Sequence, residues 1–172
     1  MAASFKDRIL GAARLDVATY EEVEADEGAT VQALVVVAAA AASSGVGAIG
    51  GGVYSFFLGI LGPIIGWLVF AVAVFLIGGM VLPEPGTKAD AGEVLRTVGF
   101  ASSPGLLYFL GLIPLLGLLI SLGIALWVLV ATVIAVRQTL DYQSTARAVG
   151  VTVLGWLLYL FFARLPLLML GF

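Results

Sequence analysis

The chain has 172 residues, 62% of them hydrophobic and 11% charged, a formal net charge of −3, and neither cysteine nor histidine. Soluble domains carry about 25% charge, so this composition describes an all-α polytopic membrane protein with the bilayer as its main solvent. Without cysteine or histidine there are no disulfides, no thiolate nucleophile and none of the usual zinc, haem or copper ligand sets, so no cofactor, metal site or catalytic residue is expected. The weak negative charge suits neither a nucleic-acid binder nor a polybasic lipid clamp.

Residues 1–29 form the extended polar region, read as a cytoplasmic amphipathic and acidic segment ahead of a five-span domain over 30–172. Lys6, Asp7 and Arg8 precede any long apolar run, which argues against a cleavable signal peptide and makes the first span the anchor. Ser4 and Asp7 have the spacing of a capping pair. Phe5, Ile9, Ala12 and Ala13 then share one helix face, opposite Asp7 and Arg14, which predicts a short amphipathic helix on the membrane surface; a solvated helical tail is the plainer alternative. A second capping pair, Thr19 with Glu22, is expected to open an acidic turn containing Glu21, Glu22, Glu24, Asp26 and Glu27, whose ordinary role is to solvate a surface.

The first span is expected over Val31 to Ile49, broken by Ser43, Ser44 and Gly45 and ended by Gly50, Gly51 and Gly52. The apolar stretch from Tyr54 to Leu82 would measure about 43 Å as one straight helix, longer than the roughly 30 Å hydrocarbon core. Pro63 offers a break. This predicts an interfacial or partly re-entrant segment at 54–61 and a second span from Pro63 to Leu82, with Gly62 and Gly66 as a GxxxG packing pair. After a loop at 83–89, Asp90 and Glu93 cap a third span that runs from about Arg96 to Ile113 and is kinked at Pro104. Leu115 and Leu116 form a tight turn into the fourth span, a charge-free run from Gly117 to Val136. Gly117, Ser121 and Ala125 lie on one face of that run, with Thr132 and Ala135 continuing it, a small-residue stripe suited to close helix packing. The last helix starts near Thr145, carries Arg147, and reaches about Leu165, where Arg164 can snorkel to the opposite interface; Pro166 weakens it before an apolar tail.

In this arrangement Lys6, Arg8, Arg14, Lys88, Arg96, Arg137 and Arg147 share one side and Arg164 the other, which predicts a cytoplasmic N-terminus and an external C-terminus. The acidic residues fall on the cytoplasmic side too. Arg137 and Asp141 are four apart and would pair if the fourth helix continued past the membrane. With Arg96 and Arg147 at neighbouring helix ends, the four would form a compact basic site around one carboxylate, able to dock a lipid phosphate or an acidic segment. The plainer reading is that these arginines set topology. Trp127 lies mid-span and is read as a packing residue.

The run from Arg96 through Gly99 and Ser102 to Pro104, then Ile113, Pro114, Leu115, Leu116 and Gly117, Trp127, Ala135, Val136 and Arg137, and finally Thr145, Ala146, Arg147 and Ala148, resembles the prokaryotic branch of the Yip domain family, whose eukaryotic members are named for interaction with Ypt/Rab GTPases. The resemblance implies a five-helix integral membrane protein with a cytoplasmic N-terminus, here in a prokaryotic cell membrane. It brings no established activity. The chain lacks the long N-terminal domain and the aspartate-leucine-tyrosine-glycine-proline signature of the eukaryotic branch, so small-GTPase binding does not carry over.

Three functional classes follow. A non-catalytic scaffold would bind membrane lipids, other membrane proteins or further copies of itself through its cytoplasmic rim. A small oligomeric channel or transporter would have to use the hydroxyls of Ser43, Ser44, Ser102, Ser103, Ser121, Thr132 and Thr152, none of them ionisable. An intramembrane hydrolase is disfavoured, because Ser103 or Ser121 would lack a base within a span. The scaffold is the reading the residues favour.

Overall fold

The N-terminal segment folds into two short helices. A computed structural model describes residues 3–169, with side chains described over 3–161. Ser4 caps α1 (Phe5–Ala13): its Oγ accepts the Asp7 N–H at 3.2 Å and donates to the Asp7 carboxylate at 2.6 Å. The second expected cap is not where the sequence placed it. Asp16 precedes α2 (Val17–Ala25), following Leu15 at φ 65°, and Thr19 lies inside the helix, donating to Asp16 Oδ2 at 2.7 Å. Glu21, Glu22 and Glu24 therefore lie on a helix and not in a turn, because Asp16 at the chain reversal takes the boundary position three residues before Thr19.

The apolar face of α1 is covered by protein. Ala12, Tyr20 and Val23 share a buried core with Ala29, Ala33, Val36, Phe100, Ala101, Ala131 and Ala135, and Phe5 and Ile9 pack against it. Phe5 meets Phe100 edge-on at 6.4 Å. This corrects the expectation of a helix lying on lipid: the alanine-rich surfaces beneath α1 and α2 let helix backbones come close, so the amphipathic face finds a protein partner.

Next come α3 (Ala29–Ala48), with a 3-10 turn Ile49–Gly51, and α4 (Val53–Val74), which runs on as a π-helix Phe75–Val81. The helix is continuous through Pro63, so 54–61 is not a separate re-entrant segment. Proline removes one backbone bond, but a membrane helix tolerates the loss when neighbours hold it. Here α3 does so: a Cβ on Gly59 would lie 2.7 Å from Gly45 Cα, an approach only two glycines allow. At the far end the π winding leaves backbone acceptors for the Tyr142 hydroxyl, which lies 3.0 Å from the Gly78 carbonyl and 2.8 Å from that of Leu82.

α5 (Ala91–Ala101) opens with a full capping box between Asp90 and Glu93, as the sequence predicts. It does not continue as a kinked α-helix. Pro104 starts a 3-10 helix, Ser103–Leu112. Eleven α residues and ten 3-10 residues reach about 16 Å and about 20 Å, together enough for a bilayer core. The seam to α3 explains why this thin winding persists. Ser43 Oγ donates to the Leu106 carbonyl at 2.9 Å and accepts the Phe109 N–H at 2.8 Å, and a Cβ on Gly47 would collide with the Tyr108 carbonyl.

The expected turn at Leu115 (φ 67°) leads into α6 (Gly117–Thr139), followed by α7 (Thr145–Met169). A second core joins Phe70, Ala71 and Val74 to Val94, Val98, Val136, Leu140, Tyr142, Ala148 and Val151. The described residues thus form seven α-helices and no strand. Three of their helices are long and apolar enough to cross a membrane: Ala29–Gly51, Val53–Val81 and Gly117–Thr139. The backbone of α7 runs on through Pro166 to Met169, past the end expected near Leu165; the Arg164 side chain and residues 170–172 lie outside what is described.

Candidate functional site: the charged rim

Arg8 is the most unexpected residue of the rim. Although it carries a permanent charge, it is only 2% exposed. Its Nη2 sits 2.9 Å from Glu22 Oε1 and 2.7 Å from Asp26 Oδ2, and its Nη1 donates to Gln32 Oε1 at 3.0 Å. One guanidinium thereby ties α1 to α2 and to the first turn of α3. The Arg8 hydrogen bond, helped by the Ala3 N–H, holds the Glu22 carboxyl below the usual carboxylate range. Arg8 and the Gly28 N–H do the same for Asp26. The sequence held a hint, since Arg8 lies between Phe5 and Ala12 at helical spacing and so belongs to the buried face.

Arg96 on α5 is 6% exposed and donates from Nη2 to the Glu24 carbonyl at 2.6 Å. The acidic segment is therefore at the same end of the bundle as Arg96, as the charge pattern required. The Glu24 carboxyl is pushed up to about 7, first by burial and then by the negative charges of Glu93, Asp141 and Glu21, which Arg96 only partly offsets. Close by, Gln138 Nε2 donates to Glu21 Oε1 at 3.1 Å, and the hydroxyls of Thr97 and Thr139 meet at 2.5 Å.

Arg96, Arg137, Asp141 and Arg147 all lie at this rim, but they do not converge on one basic site. α6 ends at Thr139 and Asp141 adopts φ 52°, so the helical spacing that would pair Asp141 with Arg137 is lost. Arg137 Nε donates instead to the Tyr142 carbonyl at 3.2 Å. Arg147 pairs with Glu84 at 3.4 Å and lies 5.8 Å from the centre of the Tyr142 ring. Asp141 joins the acidic group around Glu24. Each of the three arginines is occupied separately, Arg147 by a carboxylate and Arg96 and Arg137 by backbone carbonyls, and the chain's 11 acidic residues outnumber its 8 basic ones.

The packing residues separate too. Gly66 receives the Tyr159 ring, whose nearest atom would be 3.1 Å from an added Cβ, whereas Gly62 faces open space. Gly117 packs directly on the Gly111 backbone with Ser121 beside it, but Ala125 is exposed and Ile124 is the buried residue of that turn. Trp127 is more than a packing residue: its Nε1 donates to the Ala13 carbonyl at 2.8 Å, closing the end of α1 against α6. That contact lies ten residues before Arg137, or about 15 Å along the helix. Lys6, Asp7, Arg14 and Asp16 are exposed on the hairpin formed by α1 and α2, and charged groups there require water or head groups. The polar layer therefore reaches down this side of α6 towards Trp127.

No curated protein and no solved structure matches this chain. A family model described as the Yip1 domain matches residues 17–165, from the start of α2 deep into α7. The match takes in the acidic helix, the second core, the first core apart from Ala12, and the apolar helices, and the chain belongs to the Yip1 domain family.

Proposed function

We propose that this protein is a non-catalytic scaffold of five membrane spans, the three long apolar helices joined by α5 with its 3-10 extension and by α7, which binds a partner through its cytoplasmic rim. The observation that carries this reading is the imbalance of charge. Arg8, Arg96, Arg137 and Arg147 are each engaged, whereas Glu24, raised to about 7 first by burial, also has the negative charges of Glu93, Asp141 and Glu21 near it. A surface that concentrates unneutralised negative charge favours a cationic partner, and a bound lysine or arginine would relieve the repulsion. The rim is well suited to present such a surface, since Arg8 and Arg96 lock α2 onto the bundle.

The channel reading is less favoured. Among its hydroxyls, those of Ser43, Ser103 and Thr132 are spent on the carbonyls of Leu106, Phe100 and Val128, which leaves them poorly placed to replace ion hydration. The Ser103 bond also occupies one of the two candidate nucleophiles.

Photo-crosslinking from position 143, exposed two residues beyond Asp141, followed by purification in mild detergent, tests the scaffold. The expected result is a discrete crosslinked protein or a second copy of the chain, lost at high salt and in a Glu21→Lys, Asp141→Lys variant. Saturable solute flux in vesicles containing the purified protein, with no crosslink, would overturn the reading in favour of transport.

A further inference from the structure

A cleft of about 370 Å³ lies between α3, α4, α5 with its 3-10 extension, α6 and α7. It falls within the range of roughly 300–1,000 Å³ that small-molecule sites occupy. Most of its wall is apolar, including Val37, Leu58, Phe70 and Val98. It runs between helices long enough to cross a membrane, beside the apolar face of Gly117–Thr139, so the medium that reaches it is lipid. Interiors pack without large voids, and walls facing an empty space forfeit dispersion contacts on one side. Acyl chains are the abundant filler of matching polarity.

The polar groups in the wall narrow the choice. Thr132 Oγ1 and Trp67 Nε1 are satisfied within the protein, on the carbonyls of Val128 at 2.7 Å and Leu95 at 3.1 Å. The hydroxyls of Ser44, Tyr108 and Tyr159 line the same cleft and, among the described residues, have no hydrogen-bond partner. An unpaired hydroxyl in hydrocarbon is costly. A pure hydrocarbon would leave all three unsatisfied, whereas an ester carbonyl accepts from them. Ser44 lies fifteen residues into α3 from Ala29, about 22 Å from the charged rim. An ester there belongs to a lipid of the leaflet opposite the rim.

We propose that this cleft binds one phospholipid of the rim-distal leaflet, with an acyl chain along the apolar wall and its ester oxygens at Ser44, Tyr108 and Tyr159. The site is independent of the acidic rim and of any partner bound there. Gly62 supplies the test, because it lines the cleft and a Cβ added to it meets nothing within 4 Å. A side chain at 62 therefore starts into open space at the cleft wall, and a leucine there should take up room that a bound chain would occupy. Gly123 and Gly150 are equally unobstructed and stand outside the lining.

The experiment is native mass spectrometry of the delipidated protein titrated with dioleoylphosphatidylglycerol in detergent. One lipid should bind per chain. The Gly62→Leu variant should bind about tenfold more weakly, equivalent to losing contact with about two methylenes, and Gly123→Leu and Gly150→Leu should bind like the parent. A Ser44→Ala, Tyr108→Phe, Tyr159→Phe variant removes only hydroxyls, and it too should bind more weakly. It keeps the test decisive if the leucine variant does not fold. Equal binding by the parent and the hydroxyl-deleted variant, or by Gly62→Leu and its two controls, would overturn the proposal.

Discussion

Arg8 and Glu24 show how differently two charges fare at one rim. Arg8 is buried but faces two carboxylates and an amide, so its removal strips a partner from both Glu22 and Asp26. Arg8→Ala should destabilise the protein by about 2–3 kcal/mol, below the range for fully buried pairs because Glu22 and Asp26 keep access to water. Thermal unfolding in detergent measures it. The carboxyls of Glu22 and Asp26 titrate below their ordinary values. Their contribution is therefore present above an unfolded pKa of about 4 and is lost as pH falls through the lower folded values. Detachment of α1 under acid should appear as a change in Trp127 fluorescence, since that indole holds the Ala13 carbonyl. Glu24 has the opposite sign. With a folded value raised to about 7, its ionisation lowers stability progressively from about pH 4 to pH 7 and no further above that. Glu24→Gln should match the parent near pH 4 and exceed it by about 1–2 kcal/mol at pH 8, after allowance for solvent screening. A constant difference across that range would show that Glu24 does not titrate as its surroundings demand.

At the scale of elements, glycines decide which helices touch. Gly47→Ala drives a methyl into the Tyr108 carbonyl, and because that is backbone of a 3-10 helix pinned by Ser43, the seam has to open. Gly123→Ala meets nothing within 4 Å. The first should lower the melting temperature in detergent. The second should raise stability by up to about 1 kcal/mol, the ordinary helix gain. A loss of similar size from both would mean that the seam is not where the helices are held. The Asp90→Ala variant removes the capping box of α5, which should cost about 1 kcal/mol. Both Asp90 and Glu93 were visible as a cap in the sequence, because a cap is a local pattern. The uninterrupted α4 was not, because tolerance of Pro63 depends on Gly45 and Gly59 meeting across two helices.

At the scale of the whole molecule, the absence of native cysteine makes topology directly testable. Asp141→Cys and Leu115→Cys place thiols beyond opposite ends of α6. In intact cells a membrane-impermeant maleimide should label position 115, with position 141 labelled only after permeabilisation. Labelling of both from outside would remove α6 as a span and overturn the proposed cytoplasmic placement of the rim.

Hydropathy by itself determined that this is a helical membrane protein, and charge that the acidic segment shares one end of the bundle with Arg96, since both follow from what each side chain can tolerate in lipid. They also marked the helix starts at Ser4 and Asp90 and the turn at Leu115. Only the tertiary structure decided where α1 rests, which arginines are neutralised and by what, and that Asp141 sides with Glu24 instead of Arg137. The reason is physical: burial, carbonyl acceptors and like-charge crowding arise between residues far apart in the chain, such as Arg8 with Gln32 or Arg96 with Glu24, and no local spacing encodes them.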